Sequence, residues 1–176
     1  MIRYDNRMLI SFVRRYRLGI RSLAVFTLGI VLAAFIYSKL LGTALFITFL
    51  SHTANTAASV LNLLGGHVSV SGAVISTGGF SVSIGSGCDG LIPIMLFICA
   101  VLAYPCKIKY KAAGIIIGTV CLYSLNLVRI ISLLYIGEHL REFFDMAHLL
   151  LWQSAMILTT VFLWLLWVRR TNHVQA

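Results

Sequence analysis

A glycine-rich stretch, Ile84-Gly85-Ser86-Gly87-Cys88-Asp89-Gly90, carries a cysteine and runs straight into an uncharged apolar segment. The partial positive charge of a helix N-terminus favours thiolate over thiol. The stretch therefore reads as a loop that delivers Cys88 to the first turn of a helix. Two other residues have the types that thiol chemistry needs. Arg129 is the one charged residue between Ala112 and Ile136, and His148 opens a run to Val168 free of acids, lysine and arginine. Together a thiol, a guanidinium and an imidazole suit acyl transfer. A thiolate attacks a peptide carbonyl to give a thioester, a cation stabilises the oxyanion, and the imidazole protonates the leaving amine.

The neighbours of these residues bear on the same chemistry. Arg129 lies seven residues before Ile136, about 10 Å below that helix end at 1.5 Å per residue. An arginine at such a depth costs about 2.5–3.5 kcal/mol on insertion scales, so it must face the bundle or a wet cavity and find a partner. Asn126 lies one turn earlier on the same face and is placed to hold it. Asp89 either orients a partner or caps the helix that follows. His139, beside Glu138, competes with His148 for the imidazole role. His148 ranks higher because it starts a span, with Trp152 and Gln153 one turn on to fix its ring.

These residues must be positioned by membrane helices. Of 176 residues, 60% are hydrophobic and 11% charged, and the mean hydropathy is +0.95. That composition belongs to membrane proteins. The 14 Lys and Arg against 5 Asp and Glu then mark cytoplasmic flanks rather than a nucleic-acid surface. The four cysteines, 88, 99, 106 and 121, form no CxxC pair and no His/Cys ligand spacing. A zinc site, a disulfide framework or any other cofactor is not expected. Cys99 and Cys121 read as small packed side chains.

The expected organisation is a single all-α membrane domain: a four-span helical bundle with an extra amphipathic helix and a small extracytoplasmic β-hairpin. Residues 1–21 are basic, with six arginines, and read as a cytoplasmic surface segment. The first span covers 22–41. Residues 43–64 carry Ala44, Ile47, Leu50, Ala54, Ala57, Leu61 and Leu64 at helical spacing, with polar residues opposite, and read as a surface helix. Residues 66–87 alternate valine and serine around Gly78-Gly79, a hairpin pattern that must lie outside the hydrocarbon. Spans two, three and four cover 89–105, 112–136 and 147–168, and 169–176 is a cytoplasmic tail. This arrangement puts eleven of the 14 basic residues inside, both termini included.

At the chemistry-bearing residues the sequence resembles the exosortase/archaeosortase family of membrane transpeptidase-like enzymes. The resemblance rests on Cys88-Asp89-Gly90-Leu91 at the start of one span, Asn126-Leu127-Val128-Arg129-Ile130 in the next, and His148 opening a later one. The run Phe144–Gln153 is most similar to the exosortase H branch. Many members carry serine where Asp89 stands, and more spans. The resemblance implies catalytic roles for Cys88, Arg129 and His148, with Asn126, Asp89, Gly90 and Gln153 in support. It also implies a substrate: a secreted protein with a C-terminal sorting tail of short motif, apolar helix and basic cluster. The tail would be cut on the outer face of a bacterial inner membrane and its acyl group passed to an acceptor nucleophile. Membrane lipid is the other expected partner, and nucleic acid is not one. Two other readings stay open on the residues alone. Four spans with four cysteines suit a thiol oxidoreductase, and Arg129 would suit a small transporter or an assembly subunit.

Overall fold

The structure is a computed structural model and describes residues 6–175. Residues 1–5 of the predicted basic segment lie outside the described residues. Helix α1 runs unbroken from Asn6 to Leu40, so the predicted surface segment and first span are one helix, about 52 Å long. No proline or glycine pair interrupts it.

Helix α2, Ala44–Leu63, is capped by Thr43, whose side chain accepts the Phe46 N–H. It buries Phe46, Leu50, Thr53, Ala54, Ala57 and Ala58. The predicted stripe is right at Leu50, Ala54 and Ala57. Ala44, Ile47 and Leu64 are exposed instead, and Phe46 and Thr53 face inward. The polar residues on the other face satisfy themselves within the helix. Ser51, Thr56 and Ser59 donate to carbonyls four residues back.

The predicted hairpin is a three-stranded antiparallel meander, β1 Ser69–Ser71, β2 Val74–Ser76 and β3 Ser81–Ser83. The register sets Val70 against Ile75 and Ile75 against Val82. Gly72, at φ +60°, opens the unpredicted first turn. Thr77 closes the second turn by bonding Phe80 in both directions.

Three further helical runs complete the chain. Helix α3 is Leu91–Ala103 and α4 is Ile108–His139. After a 3-10 turn, Arg141–Phe143, a single turn α5, Phe144–Met146, leads into a π-helical turn, Ala147–Trp152, and then α6, Gln153–Gln175. Among the described residues, four stretches are long and apolar enough to cross a membrane: Gly19–Leu40, α2, α4 and Arg141–Asn172. At 13 residues, α3 is about 20 Å long, short of the ~30 Å hydrocarbon core.

Two cores stack along α4. At one end, Phe46, Leu50, Ala54, Ala57 and Ala58 of α2 pack with Ile75, Val82 and Ile84 of the sheet segment and with Ile130 and Leu134 of α4. The ring of Phe80 occupies the space where Gly137 would carry a side chain, which docks the sheet on α4. Helix α2 and the sheet thus share the C-terminal half of α4. At the other end, Ile94, Phe97, Val101 and Leu122 pack with Trp164 and Trp167. Arg129 and Asn126 lie on α4 where the two cores meet.

Candidate active site

Cys88 sits in the turn between β3 and α3. Its N–H donates to Gly85 O at 3.0 Å. The helix begins later than expected, with Gly90 as N-cap and Leu91 as first helical residue. The first free N–H of α3, from Leu91, is taken at 2.8 Å by Asp89 Oδ1. The expectation of a thiol activated by the helix terminus is therefore corrected. Burial pushes the Cys88 thiol up, Arg129 pulls it back down, and Asp89 pushes it up again, with a net rise. Desolvation outweighs the cation because the sulfur is half-buried.

Two other predicted residues converge on that sulfur. His148 Nε2 is 2.7 Å from Cys88 Sγ, and Arg129 Nη2 donates to the same sulfur at 3.6 Å. Arg129 Nη1 donates to Gly87 O at 3.2 Å. Arg129 is 3% exposed, and its Nε–H has no partner among the described residues. α4 extends to His139, so Arg129 lies about 15 Å along it from that end, deeper than the sequence implied. Arg129 thus turns its charge toward the thiol and the backbone beside it, not toward a carboxylate.

Asn126 does not hold Arg129. It is fully buried, and its Nδ2 donates to Cys88 O at 3.3 Å. Both α4 side chains therefore clamp one turn, Asn126 at the carbonyl of Cys88 and Arg129 at that of Gly87. Gly90 fits this clamp for two reasons. It has φ +77°, and a Cβ there would come within 2.7 Å of Asn126 Cγ. Only glycine meets both conditions without strain.

Asp89 acts as the helix-capping group through Leu91 N–H, and also as an acceptor for Tyr37. Tyr37 Oη donates to Asp89 Oδ2 at 2.5 Å and accepts the Gly87 N–H at 3.3 Å. Sequence reasoning missed Tyr37. Its one signal was its place near the end of the first span, the end that must lie level with Cys88.

The support for His148 also differs from expectation. Gln153 is exposed and is not bonded to the imidazole, and Trp152 Nε1 is buried without a partner. Instead the ring of Phe144 stacks on His148, centroids 5.8 Å apart and 25° between planes. His148 lies in the π-helical turn. There the wider spacing turns residues four and five ahead away from the face that straight α-helical counting gives them. His139 is exposed and stacks on Tyr135 at 4.4 Å, its Nδ1 against Tyr135 O, away from Cys88.

Among the described residues no group of His, Cys, Asp and Glu could hold a metal, and all four cysteines are free. A half-buried thiol touching both an imidazole and a guanidinium can pass its proton to nitrogen as it attacks a carbonyl. The cation is then within reach of the oxygen that becomes charged.

Comparison with curated proteins and with solved structures returned no match. The model of the transmembrane exosortase family matches residues 8–168. That span takes in the Cys88 turn, α4 and the π-helical turn, and with it this chain belongs to the transmembrane exosortases, a family of membrane sorting transpeptidases.

Proposed function

We propose that this protein is a cysteine transpeptidase that cuts C-terminal sorting tails of secreted proteins at the outer face of a bacterial inner membrane. The observation that carries the reading is the contact of Cys88 Sγ with both His148 Nε2 and Arg129 Nη2. In the reaction, Cys88 Sγ forms a bond to the scissile carbonyl carbon while its proton passes to His148 Nε2. Arg129 faces the oxyanion of the tetrahedral intermediate. The imidazolium returns the proton to the leaving amine as the C–N bond breaks, which leaves a thioester on Cys88. An acceptor amine, or water, then attacks the thioester. It gives its proton to His148, the C–S bond breaks, and the proton goes back to sulfur.

Charge supports the orientation. Lys107, Lys109 and Lys111 stand at the start of α4, and Arg169 and Arg170 follow Trp167, whose Nε1 donates to Tyr110 O at 3.1 Å. This basic end is opposite the Cys88 end, as expected if it faces the cytoplasm. The run Phe144–Gln153 supports the exosortase H branch, and with it a tail of the Ile-Pro-Thr-Leu-x-x-Trp-Gly type. An oxidoreductase would need a second thiol beside Cys88, whereas the groups that face its sulfur are His148 Nε2 and Arg129 Nη2.

The test is co-expression with a secreted reporter bearing such a tail. Tail processing is expected with the natural chain and is expected to stop in Cys88→Ala. Mass spectrometry of trapped enzyme should find the reporter's acyl group on Cys88. Unchanged processing by Cys88→Ala would sink the reading.

A further inference from the structure

The turn that carries Cys88 is tied from two helices. From α4, Asn126 and Arg129 hold the carbonyls of Cys88 and Gly87. From α1, a single hydroxyl takes both residues that flank the cysteine. Tyr37 Oη donates to Asp89 Oδ2 and accepts the N–H of Gly87. Its 2.5 Å bond to Asp89 has the length of a charge-assisted O–H···O⁻ bond.

Asp89 is 0% exposed. Its partners are both neutral, Tyr37 Oη and Leu91 N–H. Among the described residues no cation stands within ion-pair distance of it. Yet the turn it belongs to is in contact with a buried arginine whose Nε–H has no partner. A buried carboxylate beside a buried guanidinium with a donor to spare should pair with it unless something holds the two apart.

We propose that Tyr37 is a positioning residue that holds Asp89 away from Arg129, so that the guanidinium stays on Cys88 and the site remains competent. The inference rests on the reading of Cys88 as the nucleophile. The opposing effects of Arg129 and Asp89 on the Cys88 thiol fit it. If Asp89 were free to swing onto Arg129, the sulfur would lose the cation that now faces it. The cost of burying a carboxylate here is thus offset by a tyrosine from a helix that otherwise packs on α3.

The test reads Cys88 directly, by its alkylation rate against pH, followed at the Cys88 peptide by mass spectrometry. In Tyr37→Phe the limb is expected to move to higher pH. The rate at neutral pH should fall about tenfold for every pH unit the limb moves. Tail cleavage should fall with it. Adding Asp89→Asn removes the competing charge, so Tyr37→Phe/Asp89→Asn is expected to regain most of the lost rate. A role in packing alone would show no such rescue. If Tyr37→Phe fails to fold in detergent, the double variant is compared with the natural chain instead: its limb is expected to match the natural one, and a limb at clearly higher pH overturns the proposal. The proposal is overturned by an unmoved limb in Tyr37→Phe, or by a double variant no better than the single one. Full cleavage by Cys88→Ala would overturn the transpeptidase reading instead, and the alkylation profiles would still decide the Tyr37–Asp89 relationship.

Discussion

Cys88 and His148 lie sixty residues apart in sequence, yet Sγ and Nε2 are 2.7 Å apart. One partner comes from the turn after the sheet, the other from the π-helical turn before α6. Phe144, one turn before His148, stacks on the face of the imidazole. The contact needs no help from a helix dipole. It places a base on a thiol whose pKa burial raises.

His148→Ala should therefore lower tail cleavage by about 10²–10⁴-fold, the usual contribution of a positioned acid–base group. His139→Ala should leave cleavage within about twofold, since loss of an exposed side chain away from the site removes nothing the reaction uses. Measuring both variants side by side decides which imidazole acts. The assignment fails if His139→Ala is the impaired one.

Arg129 acts on the thiol with a definite sign. Its cation lowers the Cys88 pKa against the rise from burial. Arg129→Gln should move the alkylation limb of Cys88 to higher pH. It should cut cleavage by about 10²–10³-fold, as when one oxyanion donor is removed. Arg129→Lys keeps the charge and should move the limb less. It cannot serve Gly87 O and Cys88 Sγ together from two fixed nitrogens, so cleavage should still fall. A limb that moves to lower pH in Arg129→Gln would contradict the electrostatic account.

Gly90 and Gly72 make a controlled comparison, because both have positive φ but only one is crowded. Gly72→Ala should cost about 1–2 kcal/mol, the penalty of a side chain in the left-handed region. Gly90→Ala incurs that penalty and also drives a methyl against Asn126, for about 1–3 kcal/mol more. Thermal unfolding in detergent should rank the two. Cleavage should drop only in Gly90→Ala, because only its Cβ displaces a residue that holds Cys88.

The sequence made the membrane class and the reacting trio legible because both are written in residue type. A lone arginine in an apolar run and a cysteine after glycines stand out without a fold. Other features depended on contacts that spacing does not encode. Tyr37 is tied to Asp89 across 52 residues, and nothing in the first span distinguishes it from an interfacial aromatic. Asn126 shares a helical face with Arg129, so a bond between them was the natural reading. Both instead reach outward to the same backbone turn. Gln153 was placed by a 3.6-residue count that the π-helical turn breaks. The first turn of the sheet went unseen because Gly72-Ala73 is a weaker hairpin signal than Gly78-Gly79.

Asn126 offers a test of positioning separated from charge. Its Nδ2 holds Cys88 O at 3.3 Å, while its Oδ1 is buried without a partner. Asn126→Leu keeps the volume and removes both groups. Loss of the bond leaves a carbonyl unpaired, at about 1–3 kcal/mol, whereas removal of the orphaned oxygen returns a similar amount. Unfolding midpoints should therefore change little. Cys88 O would be released on the α4 side, and the sulfur would lose its fixed distance to His148. Misplacement of a reacting atom by about 1 Å can cost about 10²-fold, so cleavage should fall well beyond any stability change. The alkylation limb should move less than in Arg129→Gln, because the charges of Arg129 and Asp89 are untouched. A variant that cleaves normally would show that Asn126 packs against the turn without positioning it.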